Sequence, residues 1–452
     1  MWHLTPGTWY VARGTWYVNT LLRRILKNSG YLFSATGITA ALGMVQGILA
    51  ARLLGVTQFG LLGVITMFAT VVNKLASFRM NELVVKYVAQ HTAEDDPRGA
   101  AAVFKAALLV EGGTSLVAFA VLMALAPLGA RYFAHDPATV GWFRLYGGGI
   151  ILANLVFESG TGLLQIANRF RRIAVIQVGQ SVLTLLLIGA AYWRGAGLFA
   201  VVLAYMTGKA LGSLGVSAAA LWEARTRWGG GWFRLPLSGL RSQWRELAHF
   251  AVSTNLSGTL SLINKDSELL WVSWLRSPTE AGYYKLALAL ANLVQMPVSP
   301  LPRATYPELS REVARRNWRN VRYVLKQGSR VAFAYTALVA AGLALLGRPL
   351  IATLYTPQYL PAYPALLILL AGFLVANTFY WNRVALLSLG RADLPAKINF
   401  GLALFKVAGI LLLVPVWGYL ANAGLLAASY FIGVTLAVSL FYRQLRTMDD
   451  RP

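Results

Sequence analysis

LWEARTRWGGGWFRLPLSGLRSQWREL, residues 221–247, is the longest polar interruption in an otherwise apolar sequence. It carries Arg225, Arg227, Arg234, Arg241 and Arg245, and a Gly229-Gly230-Gly231 run that reads as a hinge. Apolar runs long enough to cross a bilayer flank it on both sides. It reads as a cytoplasmic linker between two halves of a polytopic, all-α membrane protein.

Composition supports a bilayer as the main solvent. The 452 residues are 57% hydrophobic and only 13% charged, about half the charge of a soluble domain. The net charge of +24 sits mostly in short loops between apolar runs, the positive-inside pattern rather than a nucleic-acid footprint. With no cysteine, disulfides, thiolate metal sites and cysteine nucleophiles are excluded. The four histidines show no zinc spacing.

About twelve spans are expected, near 30–51, 59–77, 103–127, 145–167, 174–193, 198–221, 248–272, 282–301, 328–347, 362–389, 398–417 and 424–442. The expected division is a cytoplasmic N-terminal extension (1–28), a six-helix half (29–221), the basic linker (222–247), a second six-helix half (248–442) and a cytoplasmic tail (443–452). The extension repeats Gly-Thr-Trp-Tyr-Val at 7–11 and 14–18, suited to the headgroup level. One set of loops holds Arg13, Arg23, Arg24, Lys27, Arg79, Lys86, Arg98, Arg169, Arg171, Arg172, the linker, the cations from Arg303 to Lys326, and Arg391, Lys397, Arg443 and Arg446. The opposite set holds only Arg52, Arg131, Arg144, Arg194, Arg276 and Arg348. The rich set is expected in the cytoplasm, with both termini there, in a bacterial or archaeal cell membrane. Segments 79–105 and 303–326 read as amphipathic helices along the membrane. In the second, Arg311, Arg315, Arg319 and Arg322 recur at helical spacing, a stripe suited to lipid headgroups.

The two halves are distantly alike. A shift of 222 residues lays Leu53 on Leu275, Thr57 on Thr279, Gly60 on Gly282, Ala69 on Ala291 and Val72 on Val294. Two six-helix halves repeated without inversion would enclose a central cavity. Pro297, Pro300, Pro302 and Pro307 break the eighth span. Gly147-Gly148-Gly149 either loosens the fourth or packs it closely.

The stretch Leu49-Ala50-Ala51-Arg52-Leu53-Leu54-Gly55-Val56-Thr57-Gln58-Phe59-Gly60 resembles the LARxLGxxxFG signature that closes the first helix of Wzx-type polysaccharide flippases. Thr161 to Gln165 with Asn168-Arg169-Phe170-Arg171-Arg172 is similar to their fourth-to-fifth turn. Asp266 to Leu275 with Glu280-Ala281-Gly282-Tyr283-Tyr284 is similar to their seventh-to-eighth turn, and Leu301-Pro302 to Ser310 to their exit from the eighth. Arg276-Ser277-Pro278 departs from the family's Leu-Gly. The resemblance, from about residue 25 onward, implies a MATE/flippase-like fold of the superfamily that also holds multidrug exporters and lipid II flippases. It implies translocation of polyprenyl-pyrophosphate-linked oligosaccharide for polysaccharide or lipopolysaccharide biosynthesis. The partners would be that glycan lipid, membrane lipids and polysaccharide polymerase machinery. The alternatives are a MATE-like cation-coupled antiporter exporting drugs or metabolites, and a lipid II-type flippase.

Charges inside spans cost ~2.5–3.5 kcal/mol each and should face a cavity or a partner. The candidate cavity cations for an anionic cargo are Lys74, Lys209, Lys265, Lys285, Arg383 and Lys406. Lys209, Lys285 and Arg383 read as mid-span. Glu111, Glu158 and Asp266 are candidates for H⁺ or Na⁺ coupling, and Asp266 could pair with Lys285. No cofactor is expected, and no G-x-x-x-x-G-K-[ST] loop is present for ATP. An enzyme such as a polymerase or ligase would need a larger outer loop. An antiporter for cations would call for an acidic cavity.

Overall fold

The computed structural model describes the backbone of residues 6–262, 267–391 and 393–449, and the side chains of 34–255, 262, 267–391 and 393–448. Lys265 and Asp266 lie outside the described residues, as do the side chains of the N-terminal Trp/Tyr duplication. The described residues are helical throughout, with no strand. Eight helical segments have the length and apolarity to cross a membrane: Ser34–Ala76, Pro97–Phe133, Pro137–Ile166, Phe170–Trp193, Leu198–Trp228, Trp318–Tyr355, Ala362–Ser388 and Asp393–Met448. The protein is a multi-pass membrane protein.

Two of these segments are too long for one crossing. Ser34–Ala76 bends at Gly55 (φ 68°) and Asp393–Met448 at Gly418 (φ 62°), left-handed positions that favour glycine. Around Gly418 the chain folds back on itself: Gly409 lies against Leu425 and Gly433 against Leu402. With those two bends dividing their segments, the eight account for ten crossings, and Trp244–Ser261, Glu268–Leu275 and Pro278–Gln295 stand where the seventh and eighth spans are expected.

The 222-residue shift extends from side chains to backbone form. A single π-turn, Gly129–Phe133, recurs at Ile351–Tyr355. The left-handed Asn168 (φ 55°) recurs as Gly390 (φ 74°). Asp95 and Arg316, also left-handed, mark matching turns one residue out of step. These two turns correct the amphipathic helices expected over 79–105 and 303–326. Each is two helices, so Arg311 and Arg315 do not continue one face with Arg319 and Arg322.

By contact, the chain divides into two compact units, one of residues 1–47, 72–124 and 144–258, the other of 48–71, 125–143 and 259–452. In the first unit the linker is anchored. The sixth span's helix continues to Trp228 and ends at Gly229 (φ 81°), the only member of the glycine run with a left-handed backbone. Trp232 (7% exposed) and Leu240 then bury themselves among Met80, Val84, Phe104 and Leu247. Rings of Phe104, Trp228 and Trp232 stand 5.5–6.1 Å apart, and Lys105 Nζ donates to Leu235 O at 2.9 Å. The glycines therefore terminate a helix; they do not form a free hinge. Buried Glu223 gathers Arg169 (2.9 Å), Arg227 (3.1 Å) and Arg172 (3.3 Å) at this basic end. Gly147, Gly148 and Gly149 serve close packing against Leu122, Met123 and Met206. The break in the fourth span comes later, at 154–156, between helices Val140–Ala153 and Phe157–Ile166.

In the second unit a helix ends at Gln295 and another runs Leu301–Ala314, the break expected from the prolines. A core of Leu309, Leu325, Trp381, Leu386 and Phe441 closes its basic end.

Candidate functional site

At the basic-poor end of the second unit, the hairpin tip around Gly55 packs on the tip around Ser277, its counterpart in the repeat. A twofold relation governs the contact. Thr57 and Thr279 hydroxyls hydrogen-bond at 2.8 Å. Gly60 lies against Pro278, and Gly282 lies against Val56, the residue 222 positions before Pro278. Only glycine lets two helix backbones approach this closely. Ser277 and Pro278 build their turn without a glycine. The Ser277 side chain accepts from Glu280 N and Pro278 opens the helix. Arg276 donates to Glu280 Oε1 (2.8 Å) and to Pro415 O (3.0 Å), while Glu280 accepts from Tyr419 N (2.9 Å). The family departure at Arg276-Ser277-Pro278 therefore preserves a tight turn by other means.

Lys285 belongs to this contact. Its Nζ donates to Phe59 O (3.1 Å) and stands 3.8 Å from the Phe59 ring centroid. Its stem lies against Gly63, its repeat counterpart. Tyr359 adds a hydrogen bond to Ala51 O at 3.0 Å. The neighbouring tip joins in through Ser273, whose hydroxyl donates to Phe133 O (2.6 Å) and whose carbonyl accepts from His135 Nε2 (2.7 Å).

Deeper in the same unit, Lys406 is not an open cavity cation. It is 2% exposed and ion-paired with Glu268, which also accepts from Tyr284. Burying either charge alone would be costly, so each requires the other. Gln46, the repeat counterpart of Glu268, makes a neutral contact in the first unit. Its amide donates to Ser181 O (2.8 Å) and Oγ (3.2 Å).

In the first unit, Glu111 (1% exposed) caps the half-helix Phe157–Ile166. Its carboxylate accepts from Glu158 N and Ser159 N, both at 2.8 Å, and from the Ser159 hydroxyl. These are among the N–H groups a helix start leaves unpaired, and the helix dipole favours an anion there. Glu158 lies within electrostatic reach of Arg79 and Lys74, and Asn81 Nδ2 donates to its carbonyl at 3.4 Å. Among the described residues, buried Arg79 Nε and Asn73 Oδ1 have no hydrogen-bond partner. Arg79 read as an ordinary loop cation, and only its nearness to Glu158 in the fold marks it out.

Lys209 sits in the middle of the Leu198–Trp228 helix with an exposed side chain that makes no hydrogen bond or ion pair among the described residues. Arg383 is equally open and lies in the short Asn382–Ser388 helix, after the break at 379–381. Among the described residues no three His, Cys, Asp or Glu side chains gather as a metal site.

Comparisons with known proteins agree with this architecture. The chain is 24% identical over 341 residues to the inner membrane protein YghQ of Escherichia coli (strain K12), covering 75% of this chain and 95% of that one. Its fold is similar to that of the lipid II flippase MurJ in an inward closed conformation, with a TM-score of 0.70 at 14% identity over 92% of this chain and 90% of that one. It is also similar to a multidrug resistance MATE family transporter of the MOP superfamily in an inward-facing conformation. There the TM-score is 0.66 at 13% identity, covering 91% and 95% of the two chains. Residues 25–313 match the model of the polysaccharide biosynthesis protein family, and the chain belongs to that family.

Proposed function

We propose that the protein is a flippase that carries a polyprenyl-pyrophosphate-linked oligosaccharide from the cytoplasmic to the outer leaflet of the cell membrane. The observation that carries this reading is Lys209. A lysine at mid-depth with no protein partner faces either hydrocarbon, at a cost of ~2.5–3.5 kcal/mol, or a polar passage. A passage lined by an unneutralised cation suits an anionic headgroup and repels a cationic drug. Near the basic end, Glu158 lies within electrostatic reach of Arg79, Glu82 and Lys74, a cluster whose formal charges balance. Membership of the polysaccharide biosynthesis protein family supports a glycan-bearing cargo.

The basic loops lie in the cytoplasm by the positive-inside rule, as do both termini. The headgroup enters at that end while the polyprenyl tail stays in lipid. The tip contact of Thr57, Gly60, Thr279 and Gly282 parts to release it. An inside-negative potential favours outward movement of an anion by ~2.3 kcal/mol per charge per 100 mV. The chain's own residues bind and pass the cargo without covalent chemistry, and Glu158 is the carboxylate available for H⁺ or Na⁺ coupling.

The test is leaflet transfer in proteoliposomes holding a fluorescent polyprenyl-pyrophosphate oligosaccharide, read with an impermeant quencher. Transfer that falls in Lys209→Ala and is retained in Lys209→Arg supports the proposal. Export of a cationic dye on a Na⁺ or H⁺ gradient, with no lipid movement, replaces it with the antiporter.

A further inference from the structure

We infer that the basic end of the ninth, tenth and twelfth spans holds a binding site for an anionic phospholipid of the surrounding leaflet. A pocket of about 430 Å³ opens there, within the size range of ligand sites. Along one edge run Arg322, Lys326 and Arg330 of the Trp318–Leu350 helix. Spaced four residues apart, they share a face and stand about 6 Å apart along the axis. All three are exposed, and Lys326 and Arg330 have no ion-pair partner among the described residues. Among the described residues no acidic side chain lines the pocket. The carboxylates of Glu308 and Glu312 are engaged with Arg311, Arg315 and Asn320.

The rest of the lining is largely aromatic: Phe333 continues the cation face one turn beyond Arg330, and Phe379, Trp381 and Tyr442 come from other segments. Trp381 fixes it, 1% exposed, with its indole N–H donating to Ser329 Oγ at 2.7 Å and its ring 5.9 Å from Phe379. A row of cations above a rigid apolar wall matches an amphiphile with a phosphate at one end and hydrocarbon at the other.

The lipid environment of the helix decides the occupant. The most apolar stretch of Trp318–Tyr355 is only 11% buried, and Val331, Leu338 and Leu345 project outward at 68–80% exposure. The pocket therefore borders a face that meets bulk lipid. A diacyl phospholipid can place its phosphate on Lys326 and Arg330 and one chain along Phe333 and Tyr442 without leaving its leaflet. The site does not depend on the cargo reading.

The experiment measures binding of phosphatidylglycerol to the full chain in phosphatidylcholine nanodiscs. The comparison is wild type, Lys326→Gln with Arg330→Gln, and a control with the same charge loss outside the pocket, Arg319→Gln with Arg443→Gln. Surface attraction of about fivefold per cation predicts a loss of roughly twenty-five-fold in the pocket variant. The control should change little. Should the pocket pair melt early in phosphatidylcholine alone, Lys326→Gln by itself carries the same comparison. Equal losses in pocket and control variants would reduce the effect to general surface charge and overturn the inference. Binding of a polyprenyl phosphate but not of phosphatidylglycerol would overturn it as well, assigning the pocket to cargo.

Discussion

Gly60→Ala should loosen the joined hairpin tips. A Cβ at Gly60 would stand 2.7 Å from Gly282 N and 2.9 Å from Pro278 C, and closer still to Pro278 O. These are backbone atoms, so no side chain can rotate away. Reaching an ordinary 3.4 Å contact with Gly282 N requires the helices to part by at least 0.7 Å. That moves the 2.8 Å Thr57–Thr279 pair to the limit of hydrogen bonding. Overpacking costs about 1–3 kcal/mol and the lost hydrogen bond about 0.5–1.5, together roughly 1.5–4.5 kcal/mol against the joined state. The population of joined tips should fall roughly 12- to 1,600-fold. The chain lacks cysteine, so Thr57→Cys with Thr279→Cys reports on the contact alone. A protease site in the Gly229–Gly231 turn reveals the crosslink as two fragments held together. Oxidant should link the parent pair rapidly and the Gly60→Ala form far more slowly. Gly63→Ala is the control, because its Cβ meets the movable side chains of Leu269 and Lys285. Equal crosslinking rates in the parent and Gly60→Ala would refute the argument.

Lys406→Met should destabilise the protein by about 3–5 kcal/mol by stranding Glu268, and Lys406→Met with Glu268→Gln should recover most of the loss; melting in detergent checks both. Glu111→Ala should cost about 1–2 kcal/mol by uncapping Phe157–Ile166, seen as faster amide exchange at Glu158 and Ser159. At low pH the turn before Pro97 should fray. The Gly99 N–H, and His91 beside it, hold the Asp96 carboxyl below the usual carboxylate range. With a lowered folded pKa, its contribution is complete above the ordinary aspartate value, ~3.9, and is lost as pH falls through the folded one. Asp96→Asn should remove that dependence while leaving stability near pH 7 slightly reduced, as read by acid titration of proteolytic nicking at 94–96.

The span count and the repeat were legible because both rest on local pattern. Apolar length marks spans, and the 222-residue shift already lays Thr57 on Thr279 and Gly60 on Gly282. The pair Thr57–Thr279 was in view as a sequence match before it became a contact. What the pattern could not carry is partnership across long separations. Lys406 meets Glu268 over 138 residues, and Glu111 caps a helix 47 residues away. A charge inside a span signals that a partner or a polar passage exists but not which, so Lys406 and Lys209 looked alike. Burial separates them. Of the two readings open for Gly147 to Gly149, close packing is the one the structure favours, since they admit neighbouring side chains without bending the helix. The run at 229–231, by contrast, misled by ending a helix rather than forming a hinge.

The tip contact is self-complementary. In repeat numbering, position 56 of each half meets position 60 of the other, and position 57 meets its own copy. That is the isologous pattern of a two-fold homodimer. A six-span chain bearing only the first tip already holds every group needed to join a second copy of itself in parallel orientation. Fusion through a basic linker would convert such a dimer into one polypeptide and free its halves to diverge. Gln46 and its counterpart Glu268 differ in that way, the first in a neutral contact with Ser181 and the second in an ion pair with Lys406.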